Sequence, residues 1–534
     1  MGLKIGTAAA LAVAGLAALP AGAAAKGFSY GVTATEVTQN SATVWTRADK
    51  RAKVLVELSR DRKFGNKDDR RKQVTPKSAD DNTLQVKFGG LSPNHQYRYR
   101  FSQGKKRRST LGKFKTAPTE KQNATIRFAF SGDADAQRAT GKTEPFYNNF
   151  QIYQRMASEG NNFNVNFGDT IYSDTEVGAQ MENGVFQPAA PTALTVEQKW
   201  AKYKQNLALA NLQKVRAATG MYNHWDDHEF INDFTMSELG TGTYKAGLQA
   251  FQDYMPVTYH AKTGIYRSFR WGSNAEVFFL DERSFRSAKA SAGGVCNNPD
   301  TNAPDLAPTA PQRVRNVFAV VTPSLSQPVS QACLDTIRNP DRTFLGANQL
   351  DDFMKRLKGS KAKFKIVMNE TPIQMFYALP YDRWEGYEAE RQTLLKFIQA
   401  NVKNVVFLTT DTHANLYNDA RLATFPEENG PVDSGVNEMV TGPVATKTFT
   451  KEINEAAGRD DAGDLVTSAF FKSEPPNGPG MKCAATDVYS YTEVKVTSKS
   501  VSLTPKDING KLVHEKGSNG NPGPACGPFT INAK

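Results

Sequence analysis

Apolar and polar residues alternate along this chain in two different rhythms. From residue 28 to about 116 the runs are short: "SATVWTRA", "KVLVELS", "TLQVKF", "QYRYRFS" and "GKFKT" are separated by turn-rich pieces. Val44, Val54, Val56, Tyr97 and Tyr99 fall at period-two positions, which gives each predicted strand one buried face. From about 125 to 475, short apolar runs alternate with helical stretches such as "TVEQKWAKYKQNLALANLQKVRAAT" and "YEAERQTLLKFIQANV". That alternation predicts a layered α/β domain. From 488 onward the β rhythm returns in "YSYTEVKVTS" and "SVSLTPKD", and the Asn-Gly of "DINGKLV" predicts a tight turn.

The first 25 residues stand apart. Lys4 begins them, "TAAALAVAGLAALP" is a short apolar run, and "AGAAAK" supplies small residues for cleavage near Ala23 to Ala25. This predicts a secretory signal peptide over 1–25 and an extracellular or periplasmic protein. No later apolar run approaches 18 residues, so the processed protein is expected to be soluble. A β module then occupies 28–118, "TAPTEKQ" at 116–122 serves as linker, and the α/β domain with its C-terminal strands fills 125–534. "GLSPNHQYRYRF" resembles the corner of fibronectin type III domains, which makes its tyrosines core residues.

The chain has 534 residues and a formal charge of +12, or +11 without Lys4. The balance favours anionic partners without choosing among them. Four cysteines in an exported chain suggest two disulfides, and Cys296–Cys333 with Cys483–Cys526 would each staple one Pro/Asn/Gly-rich region. No CxxC or Cys/His spacing suggests a zinc finger. The Pro/Asn-rich stretch around 291–312 reads as a long surface loop that could cover a site.

Four strand-like runs end in side chains able to bind metals. "TIRFAFSGDAD" gives Asp133 and Asp135, and "FNVNFGDTIY" gives Asp169 and Tyr172. "GMYNHWDDHEFIND" gives Asp226, Asp227, His228, Glu229, Asn232 and Asp233, and "NVVFLTTDTH" gives Asp411 and His413. Any one of these is an ordinary turn, helix cap or satisfied surface pair. Ligands collect at the carboxyl ends of strands in α/β sheets, so four together predict one convergent metal site. The donors are oxygens and imidazoles with no thiolate, which favours hard or borderline ions. A bridging aspartate, for which Asp169 is the candidate, would make a two-metal hydrolase.

"FAFSGD", "GDTIY", "WDDHE", "LDERSFR" and "TTDTHA" resemble, in order, the signatures of PhoD-type alkaline phosphatases, members of the calcineurin-like metallophosphoesterases. The resemblance runs from about residue 28 to about 420. It implies a four-layer αββα core preceded by a small fibronectin-type-III-like β-sandwich, and hydrolysis of phosphate mono- and diesters by metal-activated hydroxide. It also implies ferric iron and calcium, with other divalent metals open. Asp133, Asp169, Tyr172, Asp227, His228, Asp411 and His413 fall on the positions expected to bind metal or assist the chemistry. Tyr172 would be a phenolate ligand and Asp169 the bridge; packing beneath the loop is the other reading of Tyr172. Better-known members carry a cysteine where this chain reads Ser131-Gly132-Asp133, so Asp133 is expected to replace a thiolate, with Asp135 the alternative.

"FFLDERSFR" adds Asp281, Arg283 and Arg286; Arg283 is expected to meet phosphate, or else to pair with Asp281 or Glu282. His228 is expected to serve the leaving oxygen as general acid, or to bind metal. Asn369 and Glu370 read as supporting residues behind the site, and Asp174 and Glu176 as exposed loop acids that could help hold calcium. Expected substrates are small phosphomonoesters and phosphodiesters, with phospholipid or teichoic acid as further candidates; no stable partner is implied and a monomer is expected. The alternatives are a phospholipase D-type phosphodiesterase and, more distantly, a noncatalytic surface polymer-binding protein.

Overall fold

Three apolar runs, Ile126–Ser131, Phe163–Phe167 and Gly220–His224, lie parallel and side by side. Their ends come out together, because Asn166 sits opposite Ser131 and Phe167 opposite His224. A second parallel group, Ala275–Phe279, Phe364–Asn369, Val405–Thr409 and Val432–Val440, is equally in step, with Asn369 opposite Thr409 and Thr409 opposite Val440. The computed structural model that shows this describes residues 27–534 except 68, 179, 183–184, 188–190 and 519–520. The leader expected over 1–25 lies outside the described residues.

The first group belongs to a nine-stranded sheet and the second to a seven-stranded one. Alternation along each strand decides what packs where. Phe128, Phe130, Phe163, Val165 and Phe167 share one apolar cluster with Val277, Phe279, Ile366, Met368 and Leu408 of the other sheet. On the outer face of the first sheet, Ala129 and Met221 meet Ile152, Tyr153 and Val215 from helices Gln151–Met156 and Ala210–Ala218. On the outer face of the second, Phe278, Val367 and Phe407 meet Phe353, Leu357, Leu394 and Ile398 from helices Ala347–Gly359 and Glu388–Asn401. The order is helix, sheet, sheet, helix.

The strands expected before residue 118 are present, but part of them belongs to the larger sheet. Val32–Thr35, Ala42–Arg47 and Thr83–Phe88 extend the nine-stranded sheet, joined to it where Ala34 runs parallel to Gly220. Val54–Ser59, Arg70–Val74, Gln96–Gln103, Arg107–Arg108 and Gly112–Lys115 form a separate five-stranded sheet. Tyr97 and Tyr99 are buried, and the Tyr97 hydroxyl accepts from the Ser92 amide at 2.9 Å. At the other edge Ser490–Val496 runs antiparallel to Ile126–Ser131, followed by Ser500–Asp507 and Phe529–Asn532.

The helical stretch from 195 to 219 consists of two helices, Val196–Leu207 and Ala210–Ala218. Thr195 and Gln198 form a reciprocal capping box at the start. The break falls beside the buried Asn206, whose amide donates to Ala134 O at 2.7 Å and Thr170 O at 2.9 Å. The freed Leu207 carbonyl accepts from the Gln213 side chain at 2.7 Å. Both expected disulfides are formed, Cys296–Cys333 and Cys483–Cys526. The first pins the insertion after Ser291, which a buried Asp305–Arg315 ion pair also ties down.

Candidate metal centre

The turns after these strands are sharp. Asp133, Asp169, Asp411 and His413 all have left-handed backbones, with φ of 61°, 46°, 63° and 55°. Non-glycine residues seldom adopt this region, and where they do they gather at functional sites. Gly132 is needed for the approach of two of these turns, since a Cβ there would collide with the Phe167 carbonyl oxygen.

The turns bring the expected donors together. Ligand-capable atoms of Asp133, Asp169 and His413 lie within 4.8 Å of one another, as do those of Asp169, Asp227 and His228. A third group joins Asp227 to Asp233 and Asp382. Asp169 is shared by the first two groups. Tyr172 is buried between the histidines: its hydroxyl lies 3.3 Å from His413 Nε2, and its ring centroid lies 4.1 Å from that of His228. Asp411 stands beside these groups rather than in one, 3.9 Å from Arg283 Nη2 and 4.0 Å from Arg383 Nε.

Both imidazoles are held at Nδ1 by a carboxylate. His228 Nδ1 lies 2.6 Å from Asp174 Oδ1, and His413 Nδ1 lies 2.6 Å from Glu452 Oε1. Metal-binding histidines are typically oriented this way, with the other nitrogen left for the ion. Burial opposes a charge on either ring, yet Asp174, Asp169 and Asp227 hold His228 well above its ordinary value. Glu452 holds His413 up to about 9 against the same opposition.

Asp133 tests whether these residues fit a cation. It is fully buried, and neither carboxylate oxygen has a hydrogen-bond partner. Burial pushes its pKa up to about 7. A buried carboxylate without partners is costly, and a cation supplies what both oxygens lack. Asp135, the alternative, is already satisfied: it accepts from the Thr175 hydroxyl and from the Gln137 amide at 2.8 Å. The set of carboxylates, imidazoles and a phenol fits hard or borderline ions.

Arg283, expected to face phosphate, is instead wholly buried. Its Nε pairs with Asp226, and its Nη1 contacts both oxygens of Asp382 at 2.8 and 2.7 Å. Its side chain pairs with neither Asp281 nor Glu282; Asp281 accepts from the Arg283 backbone at 3.2 Å. Five acids within reach, Glu370 among them, explain why the guanidinium sits among the donors: it neutralises the carboxylates that converge there. Arg286 grips Asp382 as well. Glu370 lies behind the cluster, with Oε1 2.8 Å from His224 Nε2, and Asn369 is buried next to it. Asp174 is mostly buried against His228, whereas Glu176 pairs with Lys447.

Sequence reasoning missed Asp382, Arg383 and Glu452. Asp382 ends the short turn Pro380–Asp382, and Glu452 lies on the helix Phe449–Ala457. Neither follows an apolar strand directly. Asp233 stands among the metal-capable side chains of "WDDHEFIND" but not among the positions that the resemblance singles out.

Comparison with known families defines the class. The profile of "PhoD-like phosphatase" matches residues 138–504, and that of "PhoD-like phosphatase, N-terminal domain" matches residues 14–118. The chain belongs to the PhoD-like phosphatase family. Among characterised relatives, alkaline phosphatase D of Bacillus subtilis (strain 168) is 26% identical over 425 residues, covering 73% of this chain. The match spans 64% of that enzyme's length. The solved structure of PhoD superposes with a TM-score of 0.69 at 21% identity, covering 94% of each chain. The purple acid phosphatase PPD1 from yellow lupin (Lupinus luteus) seeds shares the fold more distantly, with a TM-score of 0.53 at 13% identity, covering 91% of this chain and 73% of that one.

Proposed function

We propose that this protein is an exported, metal-dependent phosphoesterase that hydrolyses phosphate mono- and diesters. Family membership supports the phosphatase class. The observation that carries the metal requirement is the buried Asp133 carboxylate, unpartnered at both oxygens beside Asp169 and His413. Asp133, Asp169, Tyr172 and His413 would hold one ion, and Asp169, Asp227 and their neighbours a second, with Asp411 at the edge of the site. Ferric iron and calcium, expected from the resemblance, suit these donors. When bound, such ions supply Lewis acidity toward a phosphoryl group and make water nucleophilic.

The chain's own residues do the rest. Asp169 accepts the His228 amide at 3.1 Å, and the Asp233 amide caps Asp227 at 2.6 Å, so both carboxylates are fixed before substrate arrives. Arg283 holds Asp226 and Asp382 at set positions. His228, kept charged by Asp174, can pass a proton from Nε2 to the departing oxygen. A covalent route is disfavoured, since Thr410 Oγ1 donates to the Phe167 carbonyl and Ser131 Oγ donates to the Met156 sulfur, with no activating base on either among the described residues. Export is supported by two disulfides and the expected leader. Among the described residues no helix is long and apolar enough to cross a membrane.

The test is hydrolysis of p-nitrophenyl phosphate and bis-p-nitrophenyl phosphate at alkaline pH, before chelation, after it, and after calcium and iron are restored. Turnover lost on chelation and regained on restoration supports the reading. A folded, metal-replete protein inert toward both esters sinks it.

A further inference from the structure

A cavity of about 310 Å³ opens beside the metal cluster, walled by residues of the 306–325 segment and of helices Phe449–Ala457 and Ala462–Val466. Leu306, Phe318, Phe376, Phe449, Ile453 and Phe470 are among its lining, and Arg383 is the one charged residue among the described lining residues. Large apolar side chains exposed singly are ordinary, but here they gather. Leu306, Val317, Val320, Leu379 and Leu465 all line this cavity while remaining exposed, Val320 to 70%. An apolar concavity with an apolar rim and one fixed polar group is the usual form of a small-ligand site.

Two elements join the cavity to the cluster. Arg383 lies over the Phe376 ring at 5.2 Å on the cavity side, while its Nε comes within 4.0 Å of Asp411. The helix Phe449–Ala457 presents Phe449 and Ile453 to the cavity and Glu452 to His413. The Phe449 amide also donates to the His413 carbonyl at 3.1 Å.

We propose that this cavity takes the hydrocarbon group of an amphiphilic phosphate ester, with Arg383 meeting the phosphate at the boundary. The inference rests on the phosphoesterase reading and narrows its substrate class. Charge decides the occupant: a lone cation at the cluster end of an apolar wall matches an anion that carries a greasy tail. A chain polar along its whole length would leave the wall wet.

The experiment uses the metal-replete full chain and the methyl, butyl and octyl esters of p-nitrophenyl phosphate, each below its micelle concentration. Buried methylenes are favourable, so kcat/KM for the octyl ester is expected to exceed that for the methyl ester about tenfold or more. Ala456 and Ala469 line the cavity from exposed positions. Ala456→Trp and, separately, Ala469→Trp should cut the octyl-to-methyl ratio to about twofold or less, with melting temperature reporting on folding. Equal kcat/KM along the series in an enzyme that cleaves the methyl ester overturns the proposal, as does a rise confined to micellar substrate. If no ester of the series is cleaved, turnover of p-nitrophenyl phosphate reports separately on the phosphoesterase reading, and calorimetry of the metal-free protein decides the cavity. Octyl phosphate should then bind with a negative heat-capacity change where inorganic phosphate does not; equal binding of the two overturns the cavity proposal.

Discussion

His413 Nδ1 and Glu452 Oε1 lie 2.6 Å apart across 39 residues of sequence. The contact fixes which nitrogen of the ring faces Asp133 and Asp169. Loss of such outer partners lowers metal affinity about 10–100-fold in comparable sites. Glu452→Gln is therefore expected to weaken ion binding at least about tenfold, read by titrating metal into the chelated protein. Unchanged affinity would mean that the pair only decorates the surface.

Asp133 and Asp135 are two residues apart and should behave in opposite ways. Asp133→Asn removes a buried, partnerless charge, so the metal-free protein should gain stability on the order of 2 kcal/mol. The same variant should lose one equivalent of bound ion by elemental analysis and about a hundredfold or more in kcat. Asp135→Asn should keep its ion content, because that carboxylate is already occupied by Thr175 and Gln137. Loss of ion from Asp135→Asn alone would reverse the assignment.

Without metal, the cluster should make the protein weaker as pH rises. Burial pushes Asp133 and Asp233 up to about 7 and Asp226 up to about 8. In the unfolded chain aspartates lose their protons near about 4. Between these limits the folded state holds protons that the unfolded state has released, so stability falls from about pH 4 to about pH 8, and His413, held up to about 9, carries the fall to about pH 9. Chelated protein should melt lower at pH 8 than at pH 5, and added ions should remove most of the difference. A chelated protein that melts higher at pH 8 contradicts this.

The two neighbouring arginines predict separable losses. Arg283→Ala strands Asp226 in a buried site and leaves Asp382 to Arg286 alone, which should cost about 3–5 kcal/mol in urea unfolding. Arg383→Ala removes a partly exposed guanidinium 4.0 Å from Asp411 and should cost about 1 kcal/mol or less while raising KM. Similar stability losses in both variants would show that burial does not distinguish them.

If His228 delivers the leaving-group proton, His228→Asn should depend on what leaves. The kcat for an alkyl phosphate, whose alkoxide needs a proton, should fall about a hundredfold or more, and that for p-nitrophenyl phosphate much less. Equal losses on both would assign the ring to ion binding instead.

The sequence made legible whatever follows a strand directly. Asp133, Asp169, Tyr172, Asp227, His228 and His413 each end an apolar run, and the parallel register carries them to one place. Asp382, Arg383 and Glu452 arrive by a short turn and by a helix in the chain's last hundred residues, where no periodic pattern marks them. Arg283 was found, but its motif does not reveal how many acids would surround it. The split of the helix at Ala208 was hidden for a similar reason: the break follows from where the buried Asn206 amide is satisfied, not from local propensity.

The parallel junction of Ala34 with Gly220 bears on how this protein can be cut. Val32–Thr35 covers the flank of the very strand that leads into Asp226, Asp227 and His228. A truncation beginning at residue 119 would strip that flank and turn the strand Gly220–His224 into a sheet edge. Open borders of this kind recruit other chains. The shortened protein should tend to self-associate, and the N-terminal segment is better regarded as a selvedge, woven in to stop the fabric from catching on its neighbours.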